Sequence, residues 1–252
     1  MATQIKPGSA RQYPCERCPL RPLDVFRDFE ASELAFVSSF KKGELRVDKG
    51  ATVLVEGSHS AHLYTVLFGL GFRYKLMADG RRQILNYLLP GDLIGLQGSL
   101  MGEMQHSVEA LSPMLLCVFE REQLHTLYQN HPGLAYDITW IASREEQMLD
   151  ENLLSIGRRT ALERSAYLLS FIWARGGKTN LFGKGNPLLP ITQQHVADTL
   201  GLSLVHTNRT LRKLVDRKLI VWRDGGCQVL DLDALMKAAR WEGLRESLRP
   251  LV

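Results

Sequence analysis

The chain has 252 residues and a formal net charge of +4; 45% of its residues are hydrophobic and 23% charged. That is apolar matter enough for real cores in one large domain or two medium ones, and the slight positive excess leans toward an anionic partner. No apolar run is long enough for a membrane span, no apolar stretch opens the chain as a secretory signal would, and four cysteines do not make a disulfide framework, so a cytoplasmic protein is expected.

Residues 1–14 are polar and are predicted to be mobile. The stretch YPCERCPLRPLDVF, residues 13–26, then places Cys15 and Cys18 in a C-x2-C pair. Such a pair suits a metal or an iron–sulfur cluster, both of which need about four ligands, and no third cysteine follows nearby. Residues 26–41 carry spaced apolar side chains, and Ser32 before Glu33 is expected to open a short helix there.

From about 44 to 122 the texture becomes short runs rich in Val, Leu, Ile and Tyr, separated by turn signals such as DKG, ADGRR and PGD. This pattern predicts an all-β sandwich, barrel or jelly roll, with a two-residue hairpin turn at Asp79–Gly80. Beyond Phe119 the period becomes helical. A stripe through Ile138, Ile141/Ala142, Glu145, Leu149, Leu153 and Ile156 predicts a long helix, and with few other elements to bury it we expect a second copy of the chain to do so. Residues 175–190, rich in Gly, Asn and Pro, read as a loop.

Residues 192–214, TQQHVADTLGLSLVHTNRTLRKL, carry two helical patterns around Gly201. Thr192 suits the first N-cap and Ser203 the second, both also counted among the DNA-contacting residues, and Val196, Ala197 and Leu200 form one inner face. Leu204, Thr207, Leu211 and Leu214 are expected to form the other. Helix, glycine turn and helix at this spacing are the helix-turn-helix signature. Val205, His206, Asn208, Arg209, Arg212 and Lys213 then face outward. Asn and Arg read base edges in the major groove, and Arg and Lys neutralise phosphate. RKLIVWRDGGCQVLDL reads as a following hairpin that turns at Asp224–Gly225–Gly226, which makes the module winged; Cys227 is placed in that turn with no role.

Taken together, these segments resemble the Crp/Fnr family of bacterial transcription regulators over nearly the whole chain. LLPGDLIGLQGSL is similar to a turn of the family's cyclic-nucleotide-binding roll, and ITQQHVADTLGLSLVHTNRTLRKL to its DNA-binding signature. The resemblance implies an α+β chain: a cysteine-bearing segment 1–25, a jelly-roll sensor domain 26–132, a dimerisation helix 133–160 and a winged helix-turn-helix domain 161–252. It implies a homodimer that binds near-palindromic double-stranded DNA, and RNA polymerase as a partner if the protein activates. It implies no enzyme and no membrane. Val205, Asn208 and Arg209 fall on the family's reader positions; the valine replaces a common glutamate, so the usual half-site is not assumed. Nucleotide-binding members carry a Glu where this chain has Leu96 and an Arg-Ser pair where it has His106-Ser107, so no tight cyclic-nucleotide binding is expected. Oxygen-sensing members hold a [4Fe–4S] cluster on three N-terminal cysteines and one on the roll. Here Cys15, Cys18 and Cys117 match, and Asp24 stands at the remaining place as a harder ligand. The residues leave a cluster, a thiol switch and a partial zinc site all open. A regulator with no small-molecule signal, a nucleotide-type module acting on a protein partner, and a thiol oxidoreductase using Cys15 and Cys18 are the rival readings.

Overall fold

A computed structural model describes residues 13–182, 187–244 and 248–251. The polar stretch before Tyr13, and part of the expected loop before residue 190, lie outside the described residues. The helices are α1 (Ala31–Phe40), α2 (Leu96–Met101), α3 (Leu124–Asn130), α4 (Pro132–Arg158), α5 (Ala161–Lys178), α6 (Gln193–Leu200), α7 (Leu204–Asp216) and α8 (Leu232–Ala239). The strands are β1 (Lys41–Val47), β2 (Thr52–Leu54), β3 (His62–Phe68), β4 (Gly71–Leu76), β5 (Arg82–Leu88), β6 (Leu93–Ile94), β7 (Ser107–Ala110), β8 (Met114–Glu120), β9 (Ile220–Arg223) and β10 (Gly226–Val229). Contacts divide the chain into two units: residues 1–73, 88–146 and 247–252, and residues 74–87 and 147–246.

The first unit is the β roll. One sheet runs β1-β8-β3-β6; the other, whose β4–β5 hairpin crosses into the second unit, runs β2-β7-β4-β5. β8 shows how alternation builds two cores. Met114, Leu116 and Val118 face Val47, Val66 and Val108 between the sheets. Cys117 and Phe119 face the other way, onto Phe40, Leu127, Leu134 and Ile138 of the covering helices. The short helix expected from Ser32 starts one residue earlier, at Ala31, because the Glu33 carboxylate accepts from the Glu30 N–H (3.0 Å) and makes Glu30 the cap. Residues 248–251 return to this unit: Phe26 and Arg249 form a parallel β-bridge, Arg249 pairs with Asp92 (2.8 Å), and Leu251 enters the core.

The long helix α4 confirms the 3.5-residue stripe but divides it. Ile138 and Ile141 are buried in the first unit, so the roll and not a second copy covers that end; Leu149, Leu153 and Ile156 stay exposed. The Asp79–Gly80 turn is a residue longer than expected: Met77 N–H donates to Arg81 O (2.8 Å), enclosing three residues.

The second unit holds the C-terminal half of α4, α5 to α8, the wing strands and residues 74–87. The expected loop from residue 175 begins later, because α5 continues to Lys178 with Arg175 buried beneath it. Cys227 is not in the wing turn. It lies in β10 opposite Trp222, fully buried, and exchanges two backbone hydrogen bonds with Leu189 (2.8 and 2.9 Å), so it packs the wing against the chain that enters α6. Burial pushes its thiol up to about 12, which makes it inert as a nucleophile.

Candidate nucleic-acid interface

The helix-turn-helix forms where its pattern placed it. Thr192 Oγ1 accepts from the His195 N–H (3.1 Å), and His195 Nδ1 accepts from the Thr192 N–H (3.1 Å), a reciprocal cap at the start of α6. Gly201 ends α6 in the left-handed region (φ 61°), which lets the chain reverse within three residues. Ser203 Oγ then accepts from the His206 N–H (3.3 Å) to start α7. Thr192 and Ser203, expected at the interface, thus have their hydroxyls committed to capping.

On α7, Thr207, Thr210, Leu211 and Leu214 are buried, a four-residue inner face at helical spacing. Leu204, expected on that face, is 41% exposed instead, and Thr210 takes the inner place, its Oγ1 donating to His206 O (2.8 Å). Leu204 lies too near the helix start to reach the core. It lines a cleft of about 800 Å³ with Leu76, Met77 and Arg82. Val205, His206, Asn208, Arg209, Arg212 and Lys213 are all exposed on the opposite face. They put amide, guanidinium and ammonium donors in one row, with exposed Arg223 at the end of β9 as a further cation that the pattern did not single out. The row offers hydrogen bonds to base edges from Asn208 and Arg209, and neutralisation of phosphate from Arg212 and Lys213.

Leu96 and His106 line a cavity of only about 110 Å³ with Arg73 and Glu145. Arg73 and Glu145 form a largely buried ion pair. His106 is buried (5% exposed), and the Ser107 hydroxyl accepts from the Glu56 N–H (3.0 Å).

The cysteines come together only in part. Cys15, in a single 3-10 turn, and Cys117, on β8, share one buried cluster, and Cys18 packs against it. The segment that carries the pair is pinned to the roll: buried Lys41 donates to Tyr13 O (2.6 Å) and pairs with Glu44, which accepts from the Tyr13 N–H (3.3 Å). Burial pushes the Cys117 thiol up to about 12, with the Lys41 charge opposing it. Asp24 stands exposed, and among the described residues no group of three or more His, Cys, Asp or Glu is arranged to hold a metal ion. As placed, the four residues do not fit a four-ligand cluster.

Comparison with known proteins agrees with this architecture. Residues 44–131 match the cyclic nucleotide-binding domain and residues 163–238 the Crp-like helix-turn-helix domain. The chain is 32% identical over 219 residues to the nitrogen fixation regulation protein FixK of Bradyrhizobium diazoefficiens, covering 86% of this chain and 90% of that protein. It is 30% identical over 203 residues to the transcriptional activator protein FnrL of Cereibacter sphaeroides, covering 79% and 81%. The solved structure of FixK2 from Bradyrhizobium japonicum superposes with a TM-score of 0.67 at 25% identity, over 81% of this chain and 98% of that one. These relatives are regulators of transcription and not enzymes; no helix among the described residues is long and apolar enough to cross a membrane. Roll, long helix and basic winged reader together place the chain in the Crp/Fnr family of DNA-binding transcription regulators.

Proposed function

We propose that the chain works in the cytoplasm as a homodimer that reads a near-palindromic duplex, and that redox state at its cysteine cluster, not a cyclic nucleotide, is its signal. The outward row on α7 carries the DNA-reading part. The exposed Leu149, Leu153 and Leu154 on the second half of α4 support the dimer, since a helix with apolar residues left in water gains by pairing with its copy. Two reader helices then address successive major grooves about 34 Å apart. An activator of this kind would touch RNA polymerase as well. The small cavity at Leu96 and His106, which stand where the family's nucleotide binders carry Glu and Arg, supports the absence of a nucleotide signal.

For the reader, duplexes selected from a random library by the wild-type chain supply the probe, and fluorescence anisotropy the affinity. Arg209→Ala is expected to cost about 1–3 kcal/mol and to relax preference at one position of each half-site; Lys213→Ala should weaken all sequences alike and lower the salt slope by about one. Wild-type affinity of Arg209→Ala for the selected duplex, with the wild-type ratio of selected over scrambled duplexes, would remove Arg209 from the reader.

For the signal, the structure favours the thiols over a preformed cluster, and a [4Fe–4S] form requires Asp24 to turn in from the surface. Anaerobic purification with iron and sulfide analysis separates the two. About four irons and four sulfides per chain, lost in Asp24→Ala, would establish the cluster. An iron-free chain whose DNA affinity responds to peroxide, and loses that response in Cys18→Ser, carries the thiol form. An iron-free chain indifferent to peroxide sinks the redox reading.

A further inference from the structure

β5 is an edge strand of the roll's second sheet, yet its outer side is not left to solvent. Asn152 Nδ2 of α4 donates to Leu85 O (2.9 Å), and an Arg175 guanidinium N–H of α5 donates to Tyr87 O (3.3 Å). The helix-turn-helix completes the cover. Arg82 Nε donates to Asp198 on α6 (2.8 Å), Gln83 Nε2 donates to Thr199 O (2.9 Å), and the Tyr87 hydroxyl shares a hydrogen bond with Thr199 Oγ1 (2.9 Å). These contacts all lie within the second unit. Satisfied backbone on a sheet edge and three side-chain bonds to one helix define a fixed seat for α6.

Resting on the DNA-reading function above, we infer that the Arg82–Asp198 ion pair and the Tyr87–Thr199 hydrogen bond are positioning contacts for that reader. α6 packs across α7, so its seat sets the angle of the outward row. Asp198 is also an anion on the DNA-binding module, and Arg82 neutralises it where it stands. Its side chain is 12% exposed and that of Arg82 22%, so the pair faces its own unit more than solvent.

The test uses the full chain and a duplex selected from a random library by the wild type. Arg82→Gln is expected to weaken binding about three- to tenfold, with no further loss in an Asp198→Asn background, as coupled residues behave. Its salt slope should equal that of the wild type, because no phosphate contact is lost. Tyr87→Phe, which removes one hydroxyl and keeps the buried ring, should weaken binding about two- to threefold and serves if Arg82→Gln fails to fold. Wild-type affinity in both variants overturns the inference. So does a salt slope lowered by about one in Arg82→Gln, which makes Arg82 a phosphate contact, or an undiminished Arg82→Gln effect in the Asp198→Asn background. Failure of the wild-type chain to select any duplex would instead remove the DNA-reading function itself.

Discussion

Arg27→Ala is expected to destabilise the first unit by about 3 kcal/mol, because it strands two carboxylates that share one guanidinium. Arg27 Nε reaches both oxygens of Asp137 on α4 (3.0 and 2.9 Å), and its two terminal nitrogens reach both oxygens of Glu33 on α1 (2.8 and 2.9 Å). The carboxylate side chains are 5% and 11% exposed, so neither finds much water when the arginine goes. The two respond to acid in opposite senses. Hydrogen bonds from Arg27 hold the Glu33 carboxyl below its ordinary 4.5, whereas burial, only partly offset by Arg27, holds Asp137 above its ordinary 3.8. The Glu33 contribution is thus present above about pH 4.5 and is lost as pH falls through its depressed value. Asp137 costs stability at neutral pH, and protonation on acidification relieves that cost. Without Arg27 the first contribution vanishes and the second cost grows. The deficit of Arg27→Ala should therefore be largest at pH 7 and shrink toward about pH 4, and Asp137→Asn should recover part of it. Urea unfolding of both variants at the two pH values measures this; a deficit that is the same at both would rule out stranded charge as its cause.

Gly226→Ala is expected to detach the wing. Gly226 has φ +152°, and a Cβ there would stand 1.8 Å from Leu189 O and 2.8 Å from its carbonyl carbon. The obstacle is backbone, so no rotamer relieves it. β10 would have to leave residue 189, losing both Cys227–Leu189 hydrogen bonds and exposing the Cys227 side chain. A cost of several kcal/mol follows, at the upper end of what single substitutions do, and DNA binding should go with it. Gly225→Ala is the control. Gly225 also has positive φ (+93°), but a Cβ there would meet only Leu188 Cδ2, at 3.5 Å. It should cost about 1 kcal/mol in backbone strain alone. Equal melting temperatures for the two variants would contradict this account.

Periodicity and turn residues were enough to read the roll, the long helix and the winged reader, because each is set by local chemistry: alternation on β8, Gly201 between two capped helices, Asp224–Gly225 between β9 and β10. What the sequence did not disclose depends on partners distant in the chain. Arg82 looks like an ordinary hairpin residue until Asp198, 116 positions later, is placed beside it. Cys227 next to two glycines reads as turn, and only the strand at Leu189 shows it to be core. Thr210 and Leu204 exchanged roles because hydrophobicity ranks them the wrong way round; position along α7 decides which one faces inward. At the cysteines, spacing aligned Asp24 with a thiol position, but spacing says nothing of which way a side chain points.

The bridge between Phe26 and Arg249 has a consequence in time. The first unit is otherwise built from residues up to 146, yet Leu251 fills its core and Arg249 neutralises its buried Asp92. On the ribosome the roll can collapse early, but it cannot close until the whole DNA-binding unit has been synthesised. At about 5–20 residues per second, the hundred residues between them hold it open for some 5–20 s. During that interval the apolar face that carries Phe26 lies bare to other nascent chains. A roll that must wait for residues 249–251 before its core is filled therefore finishes folding only after the reader has been made, and a polypeptide released before them leaves that face unfinished.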